Sequence, residues 1–188
     1  MPRPKLVSDE QVLDATHAAM LRLGPDRFTL NDVAVAVGLS RAALVQRFTD
    51  KRRLHELTMA RATQQVRDYF ATAPREVGLA PLWAMLDDLI SGLGSGEEFS
   101  GYLLLAWGDL NDPALNRLAR ERNELVRTGI RDRLPPGPDR EESARLVQSV
   151  IQGASMIWLV ERTGGLADYV AGETRRALER LYPGAKLY

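Results

Sequence analysis

The residues best suited to chemistry cluster in the first third of the chain, and the chemistry they suit is contact with a polyanion. Arg41, Gln46 and Arg47 fall within one short stretch. Side chains of these types form paired hydrogen bonds to guanine or adenine edges in the major groove of DNA. Ala42 and Ala43 beside them are small enough to let a surface come close. Arg3 and Lys5 precede this stretch as a basic arm, and Lys51, Arg52 and Arg53 follow it. Residues 1–53 hold nine lysines and arginines against six acids, a net charge of +3, which leaves −3 for the rest of a chain that is neutral overall. A basic head on an acidic body suits a head that meets a polyanion. Other chemistries find little material. Without cysteine there is no disulfide, thiolate metal site or thiol nucleophile. Two histidines, His17 and His55, do not make a histidine-rich metal cage. The carboxylate pairs Asp87-Asp88 and Glu97-Glu98 are sequence neighbours, so their members point to different sides of a helix. No glycine-rich phosphate loop follows a strand. The expectation is a protein that is not an enzyme and needs no cofactor.

These residues must be positioned by helices. The chain has 188 residues, 45% hydrophobic and 27% charged, the composition of an ordinary globular protein. No apolar run reaches the roughly 18 residues that a membrane span needs. The first ten residues do not read as a signal peptide, so the cytoplasm is the expected location. Apolar residues recur at spacings of three and four almost throughout. Ser8 with Gln11, and Thr29 with Asp32, read as capping boxes; Ser40 and Asp50 read as further N-caps. Glycine and proline punctuate the rest. The expected fold is all-α: about nine helices, with a three-helix head over 1–50 and a larger bundle over 51–188 for ligand binding and dimerisation.

Helix two (30–37), the turn Gly38-Leu39-Ser40 and helix three (41–48) have the dimensions of a helix-turn-helix. Gly38 suits the left-handed conformation that ends a helix. Val33, Val37, Leu39, Leu44 and Phe48 are expected to pack the unit on Val12, Ala15, Ala19 and Leu23. That leaves Arg41, Ala42, Ala43, Val45, Gln46 and Arg47 on or near the open face of helix three. The same spacing also fits a helical hairpin that merely packs. Three cations at the start of helix four favour the DNA reading. They oppose that helix's own dipole, unless a phosphate sits there.

The run Gly24-x4-Thr29-x3-Val33-Ala34-x3-Gly38-Leu39-Ser40-Arg41-x2-Leu44-x3-Phe48-x2-Lys51-x2-Leu54 resembles the DNA-binding domain of the TetR family of bacterial transcriptional regulators. The likeness covers about residues 8–56 without gaps. It implies that residues 41–47 form the recognition helix and that Thr29, Ser40 and Lys51 meet phosphates. Three positions depart from the family pattern. Val45 stands where a tyrosine is usual, Arg47 where histidine is common, and Leu30 where a second threonine is frequent. Altered operator preference is the expected result. The candidate DNA-binding set is Arg3, Lys5, Thr29, Asn31, Ser40, Arg41, Ala42, Ala43, Val45, Gln46, Arg47 and Lys51.

In the body, the helix at 141–162 has apolar residues over more than half its circumference, too many for one buried stripe. A central core helix of a monomer is one explanation. The family resemblance implies another, a four-helix interface made by the last two helices of each subunit. Its candidate residues are Val147, Val150, Ile151, Ala154, Ile157, Tyr169, Leu178 and Leu181. Two-fold symmetric heads about 34–36 Å apart match successive major grooves. The ligand site is expected among Trp83, Met85, Leu86, Tyr102, Leu105, Trp107, Asp109, Met156 and Trp158, since ligand pockets are mostly apolar and aromatic with few polar groups. A carboxylate beside Trp83 or Trp107 favours a flat cation. The overall expectation is a homodimeric repressor released from a palindromic double-stranded DNA operator by a small-molecule effector. Two alternatives stand beside it: a DNA-binding dimer without effector, and a helical small-molecule binder with an inactive head.

Overall fold

The first helices begin where a side chain accepts the N–H groups that a helix start leaves without partners. At α1 (Asp9–Leu23), the Gln11 N–H donates to Ser8 Oγ at 3.2 Å while the Ser8 N–H donates to Gln11 Oε1 at 2.9 Å. α2 (Leu30–Val37) repeats the device with Thr29 and Asp32, and α3 (Arg41–Phe48) starts with the Ala43 N–H donating to Ser40 Oγ at 3.1 Å. Gly38 closes α2 in the left-handed region at φ 69°. The Arg53 N–H donates to Asp50 Oδ1 at 2.8 Å to open α4 (Lys51–Thr72).

The structure, a computed structural model, describes residues 7–94 and 96–185, with the backbone alone at 96–98. Among the described residues there are nine helices and no strand, as the apolar periodicity predicts; α5 (Leu79–Ser91), α6 (Gly96–Asn111), α7 (Pro113–Arg133), α8 (Arg140–Glu161) and α9 (Leu166–Leu181) complete the order. One helix starts earlier than punctuation suggests. α5 takes in Pro81, because a proline in the first turn lacks only an N–H that has no partner within the helix. α6 starts at Gly96, soon after the glycines at 92 and 94. No described helix is long and apolar enough to cross a membrane.

The chain forms two compact units. One runs to Gln65 and includes Ser100–Arg120; the other comprises Val66–Phe99 and the residues from Glu121 on. The first therefore extends beyond the expected boundary at residue 50. Its core holds the predicted Val12, Ala19, Val33, Leu44 and Phe48, with Val37, Leu39, Ala15 and Leu23 packed at its edge. It also takes in Met20, Phe28, Leu54, Met59, Leu105 and Leu115, apolar side chains that three short helices alone cannot cover. Within this unit α6 lies close to α1: a Cβ on Gly101 would overlap the Leu21 carbonyl, and one on Gly108 would stand 3.0 Å from Pro25 Cγ.

The second unit is built around Leu82, Leu86, Ile90, Ile130, Leu134, Val147, Val170 and Leu178. Of all the helix pairs, α8 and α9 pack together most extensively. The Arg133 guanidinium, 3% exposed, donates to the carbonyls of Gly129 at 2.9 Å and Ala73 at 3.3 Å. It thus sits at the C-terminal ends of α7 and α4, where helix dipoles favour a cation.

Gly101→Ala tests the close approach in the first unit. Alanine is the better helix former by about 1 kcal/mol, yet the variant should melt below the parent because its methyl meets the Leu21 backbone. A higher melting temperature by circular dichroism would refute that packing.

Candidate nucleic-acid interface

The starts of three helices contribute to one groove in the first unit. It measures about 620 Å³ and is lined by Asp26, Arg27, Phe28, Thr29, Leu30, Arg41, Val45, Thr49, Asp50 and Lys51. Thr29 caps α2, Arg41 opens α3 and Lys51 opens α4. Helix N-termini present backbone N–H groups and partial positive charge, the combination that binds phosphate. Lys51 Nζ donates to the Asp26 carbonyl at 2.7 Å and rests 4.6 Å from the centre of the Phe28 ring, which holds the cation at the groove. The side chains of Arg27 and Arg41 make no hydrogen bond or ion pair to the described residues.

Thr49 was no part of the expected site, although it shapes the groove. It has φ 70° and ψ −62°, and the Asp50 N–H donates across it to the Phe48 carbonyl at 2.8 Å. This is the rarer, strained form of γ-turn. A β-branched residue held there costs on the order of 1–3 kcal/mol. The turn starts α4 directly after α3 and so brings Lys51 beside Arg41. Its only sequence signal is the shortness of the link between two capped helices.

The two arginines after Lys51 form ion pairs at the surface. Arg52 pairs with Glu56 at 3.3 Å and Asp112 at 3.2 Å, and Arg53 with Glu56 at 3.4 Å. Arg47 reaches the opposite way: its Nε donates to Asp9 Oδ1 and its Nη1 to the Val7 carbonyl, each at 3.0 Å, and Nη2 also pairs with Asp9. This ties α3 to the start of α1, so Arg47 does not stand free on the reading face as expected. Its partner Asp9 belongs to the acidic first turn of α1. Ala42, Val45 and Gln46 are exposed, Ala43 partly so, and Thr29, Asn31 and Ser40 lie at the surface. Arg3 and Lys5 lie outside the described residues.

Asp32 and His55 are among the titrating groups shifted in this unit. The Thr29 hydroxyl, helped by the Thr29 N–H, donates to the Asp32 carboxylate and holds its pKa below the ordinary value. Burial, with Lys51 nearby, lowers the pKa of the His55 imidazole, whose ring stands edge-on to Phe28.

The second unit presents a different surface. Leu146, Val150, Gly153, Ile157 and Val160 alternate at spacings of four and three along α8, a coiled-coil-like stripe. Ile157 is 50% exposed, Val160 is 85% exposed, and a Cβ on Gly153 would meet nothing within 4 Å. Beside the stripe, a groove of about 370 Å³ is lined by Leu146, Val150, Glu173, Arg176, Ala177, Arg180 and Leu181. Three expected interface residues are corrected here: Val147, Ala154 and Leu178 are buried inside the unit's own core. Ile151, Tyr169 and Leu181 are partly buried at its edge.

The expected ligand residues do not gather at one described cavity. Tyr102, Leu105, Trp107 and Asp109 belong to the first unit, where Leu105 and Asp109 are buried and Trp107 is 66% exposed. Trp83, Met85, Leu86 and Trp158 are buried in the second unit, while Met156 faces outward. The expected flat cation beside Trp83 has a counterpart in the protein itself. The Arg175 guanidinium stands 4.9 Å from the centre of the Trp83 ring, and Arg162 occupies the same position at 4.8 Å over Trp158.

Residues 12–57 match the family described as bacterial regulatory proteins, tetR family. The match to this family is carried by the head. The HTH-type transcriptional regulator BetI of Cronobacter sakazakii is 30% identical over 115 residues, 58% of this chain and 57% of that protein. The chain thus spans little more than half the length of that curated relative. A transcriptional regulator from Rhodococcus sp. Rha1 superposes with a TM-score of 0.78 at 18% identity, covering 95% of this chain and 98% of that one. A tetR-family transcriptional regulator from Streptomyces coelicolor gives 0.72 at 21% identity, over 90% and 78%. At these identities the likeness is one of fold. Two departures from the family pattern have structural counterparts: Leu30 is a buried core residue, and Arg47 is held against the start of α1.

Two measurements check this geometry. Because the Asp32 pKa is lowered in the fold, its stabilisation is present above the unfolded value near 3.9 and is lost as pH falls through the folded value. The stability gap between parent and Asp32→Asn in urea should therefore narrow below about pH 4; a constant gap would contradict the cap. For Arg47 and Asp9, a double-mutant cycle to alanine should show a coupling of about 0.2–1 kcal/mol, and zero coupling would count against the clamp.

Proposed function

We propose that this chain is a homodimeric transcriptional regulator that binds a palindromic operator in double-stranded DNA. One observation carries the reading. Thr29, Arg41 and Lys51, at the starts of α2, α3 and α4, line a single groove beside the exposed face of α3. That arrangement suits a helix lying in the major groove while its neighbours hold the flanking phosphates. Lys51, Thr29 and Arg41 meet backbone, with Arg27 at the rim, and the exposed residues of α3 meet base edges. Since the site is DNA, the protein acts in the cytoplasm.

The α8 stripe, with α9 beside it, supports pairing with a second copy about a two-fold axis. A stripe from Leu146 to Val160 is about 20 Å long, and its Gly153 admits a close helix partner. Self-pairing doubles the reading heads and accounts for a palindromic site. Repression released by a small molecule is the family-based reading. It requires a ligand that favours a state whose two heads no longer match the grooves. An effector-independent dimer is the second reading, favoured by the burial of Trp83, Met85, Leu86 and Trp158 in a packed core.

Selection of random duplexes by the purified chain tests the proposal; an enriched inverted repeat is expected, and no enrichment would refute it. Lys51→Ala should weaken every duplex alike and lower the slope of log affinity against log salt by about one. Ile157→Glu should leave helicity unchanged and yield monomers in sedimentation; a persistent dimer would place the interface elsewhere.

A further inference from the structure

The surface of α3 divides into strips with different tasks. At about 100° per residue, Leu44 and Phe48 define the buried side, and both are in the core. Arg41 and Val45 flank that side toward the groove they share with Thr29 and Lys51. Arg47 flanks it on the other side, with its guanidinium held by Asp9 and the Val7 carbonyl. Gln46 stands diametrically opposite the buried pair, with Ala42 and Ala43 on either side of it. Its side chain makes no hydrogen bond to the described residues.

The centre of the face is thus one carboxamide between two methyl groups. A carboxamide offers one donor and one acceptor side by side, matching the N7 acceptor and N6 donor of adenine. Guanine presents two acceptors, N7 and O6, and calls for two donors from one side chain. The arginines that supply such a pair are turned elsewhere: Arg47 to α1, and Arg41 to the groove where Arg27, Lys51 and the helix starts make a phosphate site. The alanine methyls have no hydrogen-bonding capacity, and their match on a base edge is the thymine C5-methyl. We propose that the centre of each half-site is read as A·T pairs, adenine by the Gln46 carboxamide and adjacent thymine methyls by Ala42 and Ala43. This rests on the reading of α3 as the major-groove element.

Base analogues in the selected duplex test it with the full chain. Replacing the central adenine by 7-deazaadenine removes only N7, and replacing the neighbouring thymines by deoxyuridine removes only the methyl. The adenine change should weaken the parent roughly five- to hundredfold, while Gln46→Ala should bind both duplexes equally. The thymine change should weaken the parent too, and 7-deazaguanine elsewhere in the half-site should cost nothing. Gln46→Glu should move the preference from adenine toward cytosine, whose N4 group donates to a carboxylate, with the salt slope retained. A large loss on 7-deazaguanine that disappears in Arg41→Ala would overturn the inference, for Arg41 would then be reading guanine. An enriched inverted repeat indifferent to the adenine and thymine analogues would overturn it as well, leaving the regulator reading intact. No enriched sequence at all would remove both.

Discussion

A helix start leaves N–H groups that nothing within the helix accepts, and the head has to satisfy three such starts between Thr29 and Arg53. Thr29, Ser40 and Asp50 do so with their own side chains. The demand is acute because α2 and α3 are two turns each, too short to persist without tertiary packing. Satisfying the starts locally fixes where each helix begins, and this decides which side chains fall inward. Leu30, Val33, Leu44 and Phe48 then reach a common core, and Thr29, Arg41 and Lys51 reach a common groove. The strained turn at Thr49 is the structural concession that brings the third start beside the second.

Once those starts are set, charge is distributed by task. Arg52 and Arg53 share Glu56 about one turn on, and Arg52 also pairs with Asp112, which caps α7 through the N–H of Ala114 at 2.8 Å. Arg47 is consumed in orienting α3 on α1. Lys51, supported on the Phe28 ring and the Asp26 carbonyl, is held at the groove, with Arg27 and Arg41 beside it. A net basic head therefore reduces to a small set of cations at the groove and a nearly uncharged strip beside them. This separation lets backbone affinity and base discrimination vary independently, because they rest on different helix starts and side chains.

The caps, the helix order and the helix-turn-helix were legible in the sequence because each depends on residues within about four positions of one another. Ser8 needs only Gln11, and Thr29 only Asp32. The core of the head was largely legible too, since a 3.6-residue period marks the inward face. The apolar excess on α8 was equally plain, although its division into inner and outer stripes was not. Val147 and Ala154 turn inward while Val150 and Ile157 turn outward, and composition alone treats them alike.

What the sequence by itself determined is an all-α chain with a basic, capped three-helix head of tetR type, since local hydrogen bonds and periodicity carry that information. Only the tertiary structure decided which charges are spent inside the fold and which remain at the surface. Arg47 finds Asp9 38 positions away, and Trp83 finds Arg175 from another helix altogether. It likewise decided that Trp83 and Trp158 are core while Trp107 is exposed. Such pairings depend on how helices pack, and no spacing along the chain encodes them.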